Sequence, residues 1–276
     1  MVGDLLRNYL PELPIFVVRD YALPAWLPKK TLVFSSSYSG NTEETLSMFQ
    51  DAHKKGFTII SLSSGGKLQR MAMAKSLPHV ELPPGFSPRL TTGFMLIPLI
   101  KILQQSGIIS NRDAHLSKAI KSLQNPKHRR VGEELSKRLV EKLPIIYASE
   151  RFRSVSMKWK TDINETAKTH AFFNTYSEMN HNEIMGFVEQ NTSYHVIILR
   201  DEEDPLRIVK RMQITNKLMR ETGAGVTEIV IRGDNMLSKL LSTVHIGFWM
   251  SYFLAMEYGH DPTPVPIIES LKNELK

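Results

Sequence analysis

Cysteine is absent from the 276-residue chain. That excludes disulfides, thiolate metal sites and a cysteine nucleophile, and it fits a reducing cytoplasm, which is the expected location. Long apolar runs are missing as well. The longest candidate, residues 244–256, is broken by Ser251 and flanked by His245. A bilayer span needs roughly 18–20 apolar residues, so no membrane association is expected. Residues 1–20 carry acids and prolines where a signal peptide would have a basic start and an apolar stretch, and none is expected. No His-X-X-X-His pair occurs, so no metal and no other cofactor is expected. Nucleic acid is also excluded as a partner. The densest basic group, Lys118, Lys121, Lys127, Arg129 and Arg130, has no aromatic residue among its members and reads as a solvated helix pair. The net charge of +7, from 35 Lys+Arg against 28 Asp+Glu, suits an anionic small-molecule substrate.

What is present is ordinary for a globular α/β chain: 42% apolar and 23% charged residues. Short runs rich in Val, Ile and Phe at residues 15–18, 31–35, 57–61, 79–82, 144–148, 194–199 and 226–231 read as strands. Their nearly continuous apolarity suggests strands buried on both faces of parallel sheets. Helical stretches at 42–55, 68–75, 91–105, 151–168, 205–222 and 236–258 alternate with them, which points to βαβ units. A polar stretch, 110–142, separates two such series, and Asn125-Pro126 marks a turn between two amphipathic helices within it. The expected division is residues 1–115 and 116–276.

The sharpest local signal is Ser35-Ser36-Ser37-Tyr38-Ser39-Gly40-Asn41-Thr42-Glu43-Glu44-Thr45. An apolar strand runs into a hydroxyl-rich loop, and a helix opens at Thr42. Unpaired N–H groups, the positive end of a helix dipole and several hydroxyls suit a phosphate. A plain N-cap by Ser39 or Thr42 would use the same residues, although four serines around a tyrosine are more than a cap needs. The later Ser63-Ser64-Gly65-Gly66-Lys67 reads as a simple βα turn.

The run from Ser37 to Thr45 resembles the phosphosugar-binding loop of sugar isomerase (SIS) domains. Further stretches resemble one branch of that superfamily, the bifunctional phosphoglucose/phosphomannose isomerases: residues 60–69 (ISLSSGGKLQ), 84–89 (PGFSPR), 164–168 (NETAK), 178–182 (EMNHN) and 261–272 (DPTPVPIIESLK). The resemblance implies two SIS-like subdomains and interconversion of glucose 6-phosphate with fructose 6-phosphate through a cis-enediolate, without metal. Mannose 6-phosphate is a second expected substrate.

The same resemblance implies roles for particular residues. Ser37, Ser39 and Thr42 bind phosphate, and Glu165 moves the proton between C1 and C2. His181, in the polar turn Met179-Asn180-His181-Asn182-Glu183, opens the sugar ring, a task that suits a group titrating near neutrality. Arg89 faces the negative charge of the enediolate, and Lys272 assists ring opening. Tolerance of both epimers is tied to a threonine beside the base. The aligned position holds Val265, with Thr263 two residues away. The site is expected between the subdomains, in a homodimer whose copies share it through a histidine.

Members of that family carry a strand and a loop close to Gly-Met-Gly-Gly-Ser directly before a stretch like residues 2–7. The expectation is that this chain, which starts after that loop, is poorly soluble and nearly inactive, and that restoring the loop recovers both properties. Two further expectations stand beside the isomerase: a sugar-phosphate-binding regulator with the same fold and no chemistry, and another SIS sugar-phosphate isomerase.

Overall fold

The computed structural model describes residues 1–189 and 193–275. The chain forms two compact units. One comprises Val2–Arg7 and Glu12–Asn111; the other comprises Met1, Asn8–Pro11 and Arg112–Lys276. Helix α1 (Val2–Tyr9) contributes to both.

In the first unit, β1 (Leu32–Ser36), α2 (Glu43–Lys54), β2 (Thr58–Ser63), α3 (Gly66–Ala74), β3 (His79–Glu81) and α4 (Thr92–Gln105) follow in order. The three strands pair in parallel, β1-β2-β3, with Ser36 opposite Leu62 and Ser63 opposite Glu81. Phe49 and Ala52 of α2 lie three residues apart, and Leu68 and Ala72 of α3 lie four apart. Each pair therefore falls on one helix face, and together with Ile59 and Leu23 they form the core.

The second unit opens with α5 (Asp113–Leu123) and α6 (Lys127–Leu139), joined at Asn125-Pro126. It continues with β4 (Leu143–Ala148), α7 (Arg153–Asp162), β5 (Phe172–Thr175), α8 (Tyr176–Met179), β6 (Tyr194–Asp201), α9 (Leu206–Glu221), β7 (Gly225–Ile231), α10 (Met236–Glu257) and α11 (Pro266–Glu274). The sheet is wholly parallel, in the order β5-β4-β6-β7. Central β4 and β6 are buried along almost their whole length because helices cover both faces, which explains their uninterrupted apolar sequence. Among the described residues, no helix is long and apolar enough to cross a membrane.

Three readings differ from the structure. Residues 15–18 form no strand, and the segment has no ladder partner among the described residues. Its apolar side chains are used by packing, Val17 against Gly3 of α1 and Val18 against the first core, while Phe16 stays 61% exposed. Conversely, β5 was not legible. It is a four-residue edge strand whose first side chain, Phe172, is 51% exposed, so it has neither the length nor the burial that marks a strand in sequence. The stretch read as a single helix over 151–168 is three pieces: a 3-10 turn at Glu150–Phe152, α7, and a π-helical turn at Ile163–Ala167.

Three buried or half-buried imidazoles make the second unit acid-sensitive. His195 hydrogen-bonds Thr227 Oγ1 through Nε2 at 2.9 Å. Burial, helped by the nearby charges of Arg138, Lys142 and Arg220, pushes its pKa down to about 4. Trp249 Nε1 donates to His245 Nε2 at 2.9 Å, which leaves His245 Nδ1 as the protonated nitrogen. That nitrogen lies 3.2 Å from His128 Nδ1 and donates to it, so the network assigns both rings to the neutral form. Burial lowers both pKa values, and His245 lowers that of His128 further. Between about pH 6.5 and pH 4 the unfolded chain binds protons that the folded one refuses, so stability falls as pH falls through that window. His195 alone accounts for about 3 kcal/mol. Urea unfolding followed from pH 7.5 to pH 4.5 is expected to show a steadily falling midpoint. A flat profile would mean that these rings are protonated in the native state.

Candidate active site

β1 ends in the hydroxyl-rich loop. Ser37 N donates to Leu62 O of β2 (3.1 Å), and Gly40 N donates back to Ser37 O (3.0 Å), closing a tight turn. Ser37 Oγ and Thr42 Oγ1 lie 2.8 Å apart across its mouth. Thr42 stands at the N-cap of α2, yet its side chain makes no capping hydrogen bond. The Ser39 hydroxyl accepts from Asn41 N (3.3 Å) within the loop. The plain N-cap reading therefore fails, and the three hydroxyls stand around an uncapped helix N-terminus, with Ser37 buried and Ser39 and Thr42 exposed.

The second loop, Ser63–Lys67, is more than a turn. The pairing of β1 with β2 sets it beside the first loop, and the two main chains interlock. Ser64 N and Oγ both donate to Tyr38 O, at 2.8 and 2.7 Å. Leu68 N donates to Gly40 O (2.9 Å) and Lys67 N to Asn41 Oδ1 (3.0 Å). The contact requires glycine on both sides. Gly40 has φ +66° and a Cβ there would lie 1.9 Å from Gly65 O; Gly66 has φ +77° and its Cβ would lie 2.4 Å from Ser39 O. From below, His79 on β3 holds Ser61 Oγ through Nδ1 (2.8 Å), and Ser63 Oγ donates to Gly65 O (2.7 Å).

A third segment is tied in by Tyr38. Its buried hydroxyl donates to Pro83 O (2.7 Å) and accepts from Phe86 N (3.0 Å). This fixes the chain just before Arg89, which lies half-buried in the 3-10 turn Pro88–Leu90. Ser37, Ser39, Thr42 and Arg89 thus occupy loops that follow the C-terminal ends of β1 and β3, the sheet edge where open α/β sheets bind ligands.

In the second unit, Glu165 lies half-buried in the π-helical turn that prolongs α7. Such turns are frequent at functional sites. Lys168, directly after it, has left-handed backbone (φ 59°, ψ 27°). Its ammonium donates to Glu165 O (2.7 Å) and to Pro264 O (2.6 Å), and reaches Pro262 O at 3.5 Å. The segment carrying Thr263 and Val265 is thereby joined to the Glu165 turn.

His181 is exposed in the turn after α8, and Asn180, Asn182 and Glu183 around it are hydrogen-bonded. Asn180 Nδ2 donates to Thr215 Oγ1 (2.9 Å), and Asn182 Nδ2 donates to Glu178 Oε1 (2.7 Å). Glu183 accepts from Tyr147 OH (2.7 Å) and Asn174 Nδ2 (2.5 Å). The hydrogen-bonded turn presents an exposed imidazole. Lys272 is exposed on α11, an element separate from those of Glu165 and His181. Among the described residues, no cluster of three or more His, Asp or Glu is arranged to hold a metal.

The sequence reads Ser64, Gly65, Gly66 and Lys67 as a βα turn and gives no role to His79 or Lys168. The Gly-Gly pair was visible, but its partner loop is apparent only once β1 and β2 are placed side by side.

Residues 129–275 match the family described as the bacterial phospho-glucose isomerase C-terminal SIS domain. A bifunctional phosphoglucose/phosphomannose isomerase from Caldicellulosiruptor bescii is 38% identical over 99% of this chain and 85% of its own length. One from Aquifex aeolicus is 36% identical over 95% of this chain and 82% of its own. Among solved structures, a hypothetical protein from Thermus thermophilus superposes with a TM-score of 0.79 at 16% identity, covering 99% of this chain and 80% of that one, a likeness of fold.

Proposed function

Because the chain belongs to the bifunctional phosphoglucose/phosphomannose isomerase family, we propose that it interconverts glucose 6-phosphate and fructose 6-phosphate, and mannose 6-phosphate with fructose 6-phosphate. The observation that carries this reading is the phosphate loop. Ser37 and Thr42 hold each other at 2.8 Å at the mouth of a helix N-terminus that the N-cap side chain of Thr42 leaves uncapped. The ester is held by the hydroxyls of Ser37, Ser39 and Thr42 and by main-chain N–H groups. The Glu165 carboxylate takes the proton from C2 of the open-chain aldose and returns it to C1, by way of a cis-enediolate, while the O2 hydroxyl proton passes to O1. Arg89 balances the negative charge on the enediolate oxygens, so the chemistry needs no metal. His181 and Lys272 move protons to and from the ring oxygen and the anomeric hydroxyl.

The subdomains of this reading are residues 1–115 and 116–276, a boundary that falls within α5, just past the division between the two compact units. The working form is a cytoplasmic homodimer in which a histidine of one copy completes the site of its partner, serving glycolytic carbohydrate metabolism. The test is incubation with glucose 6-phosphate and mannose 6-phosphate separately, with EDTA present, and detection of fructose 6-phosphate. Turnover of both, unchanged by the chelator, is expected. Thermal stabilisation by the sugar phosphates without any turnover would instead favour a binding regulator, and turnover of only other ketose or heptose phosphates would move the substrate class.

A further inference from the structure

Lys168 occupies a position that favours another residue. The end of a helix in left-handed backbone is where glycine is the default, because an L side chain is crowded there. Here the side chain is a lysine, and its ammonium is fully engaged. Its three donors face three main-chain carbonyls, those of Pro264, Glu165 and Pro262, at 2.6, 2.7 and 3.5 Å. Two of those carbonyls come from a segment 94 and 96 residues further along the chain. Pro262 and Pro264 have no N–H groups, so carbonyl oxygens are the polar main-chain handles they offer. Beyond them α11 has no buried residue, and Ile267 is 84% exposed, so side-chain packing does little to hold the end of the chain.

We propose that Lys168 is a positioning residue: its ammonium latches residues 262–264 onto the Glu165 turn, fixing which side chain, Thr263 or Val265, stands beside the Glu165 carboxylate. It sets the aldose preference through that placement and anchors the root of the helix carrying Lys272. The inference rests on the isomerase reading for its catalytic half. The latch itself rests on geometry alone.

Three variants of the full chain test it. Lys168→Met keeps the stem and removes the donors. Lys168→Gly removes the donors while relieving the left-handed backbone, so its fold is preserved. Lys168→Arg restores donors and charge. In the Met and Gly variants, amide hydrogen exchange in peptides spanning 261–275 is expected to quicken by about 10-fold while β4 and β6 exchange as before. Their kcat on both aldose phosphates should fall by about 100-fold, the cost of a base and its neighbour displaced by about 1 Å. KM should stay within about 3-fold, since the phosphate loop is untouched. The ratio of mannose to glucose turnover should shift, and the Arg variant should recover much of the lost rate. Unchanged exchange in Lys168→Gly would overturn the latch. Faster exchange with undiminished kcat would overturn the positioning role. A wild type without isomerase activity would remove the isomerase reading and the specificity role with it, while exchange still decides the latch.

Discussion

Replacing Glu165 by glutamine is expected to lower turnover of glucose 6-phosphate by about 10²–10⁴-fold, the usual contribution of a positioned general base. The amide matches the carboxylate in size and keeps an acceptor oxygen, so the π-helical turn at Ile163–Ala167 has no reason to rearrange. What is lost is basicity: an amide oxygen does not take a proton from carbon at neutral pH. The residues assigned to the ester, Ser37, Ser39 and Thr42, belong to the first unit, whereas Glu165 belongs to the second. Binding of the sugar phosphate should therefore stay close to that of the wild type, as read by calorimetry. Wash-in of solvent deuterium at C2 should vanish together with turnover, because both need the same proton transfer. Glu165→Asp should be intermediate, since shortening the side chain by one methylene withdraws the base by about 1 Å, a displacement that costs on the order of 100-fold. Turnover retained in Glu165→Gln would assign the base to another residue.

The second large effect concerns stability. At the C-terminal ends of β4 and β6, Asp201 is fully buried between two cations: Lys239 Nζ at 2.8 Å and Arg151 Nη1 at 3.0 Å. Lys239 also pairs with Glu203 at 2.9 Å. Asp204, likewise without exposure, accepts from Ser149 Oγ at 2.5 Å and from Asp201 N at 3.0 Å. The acid partners hold the Lys239 ammonium above its ordinary pKa despite burial, whereas burial raises Asp204. Lys239→Met preserves volume but strips Asp201 of its closest cation. Breaking a buried pair from one side costs about 3–5 kcal/mol, because the remaining charge has lost its compensation. The urea midpoint should drop accordingly. The double variant Asp201→Asn with Lys239→Met removes both charges and should recover a substantial part of that loss. A single variant as stable as the wild type would show that Arg151 alone neutralises Asp201.

Some of this architecture is legible in the bare sequence because it is local. β4 and β6 announce themselves by the apolar runs Ile145-Ile146-Tyr147-Ala148 and Val196-Ile197-Ile198-Leu199, which suit strands covered on both faces. Asn125-Pro126 marks the break between α5 and α6, and the serines between β1 and α2 mark the loop that joins them. Other features are the product of pairing and leave no local trace. Residues 15–18 have a strand-like composition but find a helix, not a strand, as their neighbour. The four residues of β5 become a strand because β4 offers an edge. Gly65 and Gly66 read as an ordinary turn until the register of β1 on β2 sets them against Gly40. Lys168 reads as the last residue of a helix, and nothing in its surroundings hints at carbonyls nearly a hundred residues away.

The interlocked glycine loops bear on how such a site is redesigned. Each loop is the mould in which the other is cast: the hydrogen missing a methyl at Gly40 faces the carbonyl of Gly65, and the one at Gly66 faces the carbonyl of Ser39. A serine-rich loop transplanted alone would arrive without its mould, and a loop lengthened by one residue would push its neighbour out of line. The transferable part is the pair of βα turns together with the two strands that set their register. Changes aimed at a different ester group must enter as coupled substitutions on both turns, and their effects will not add.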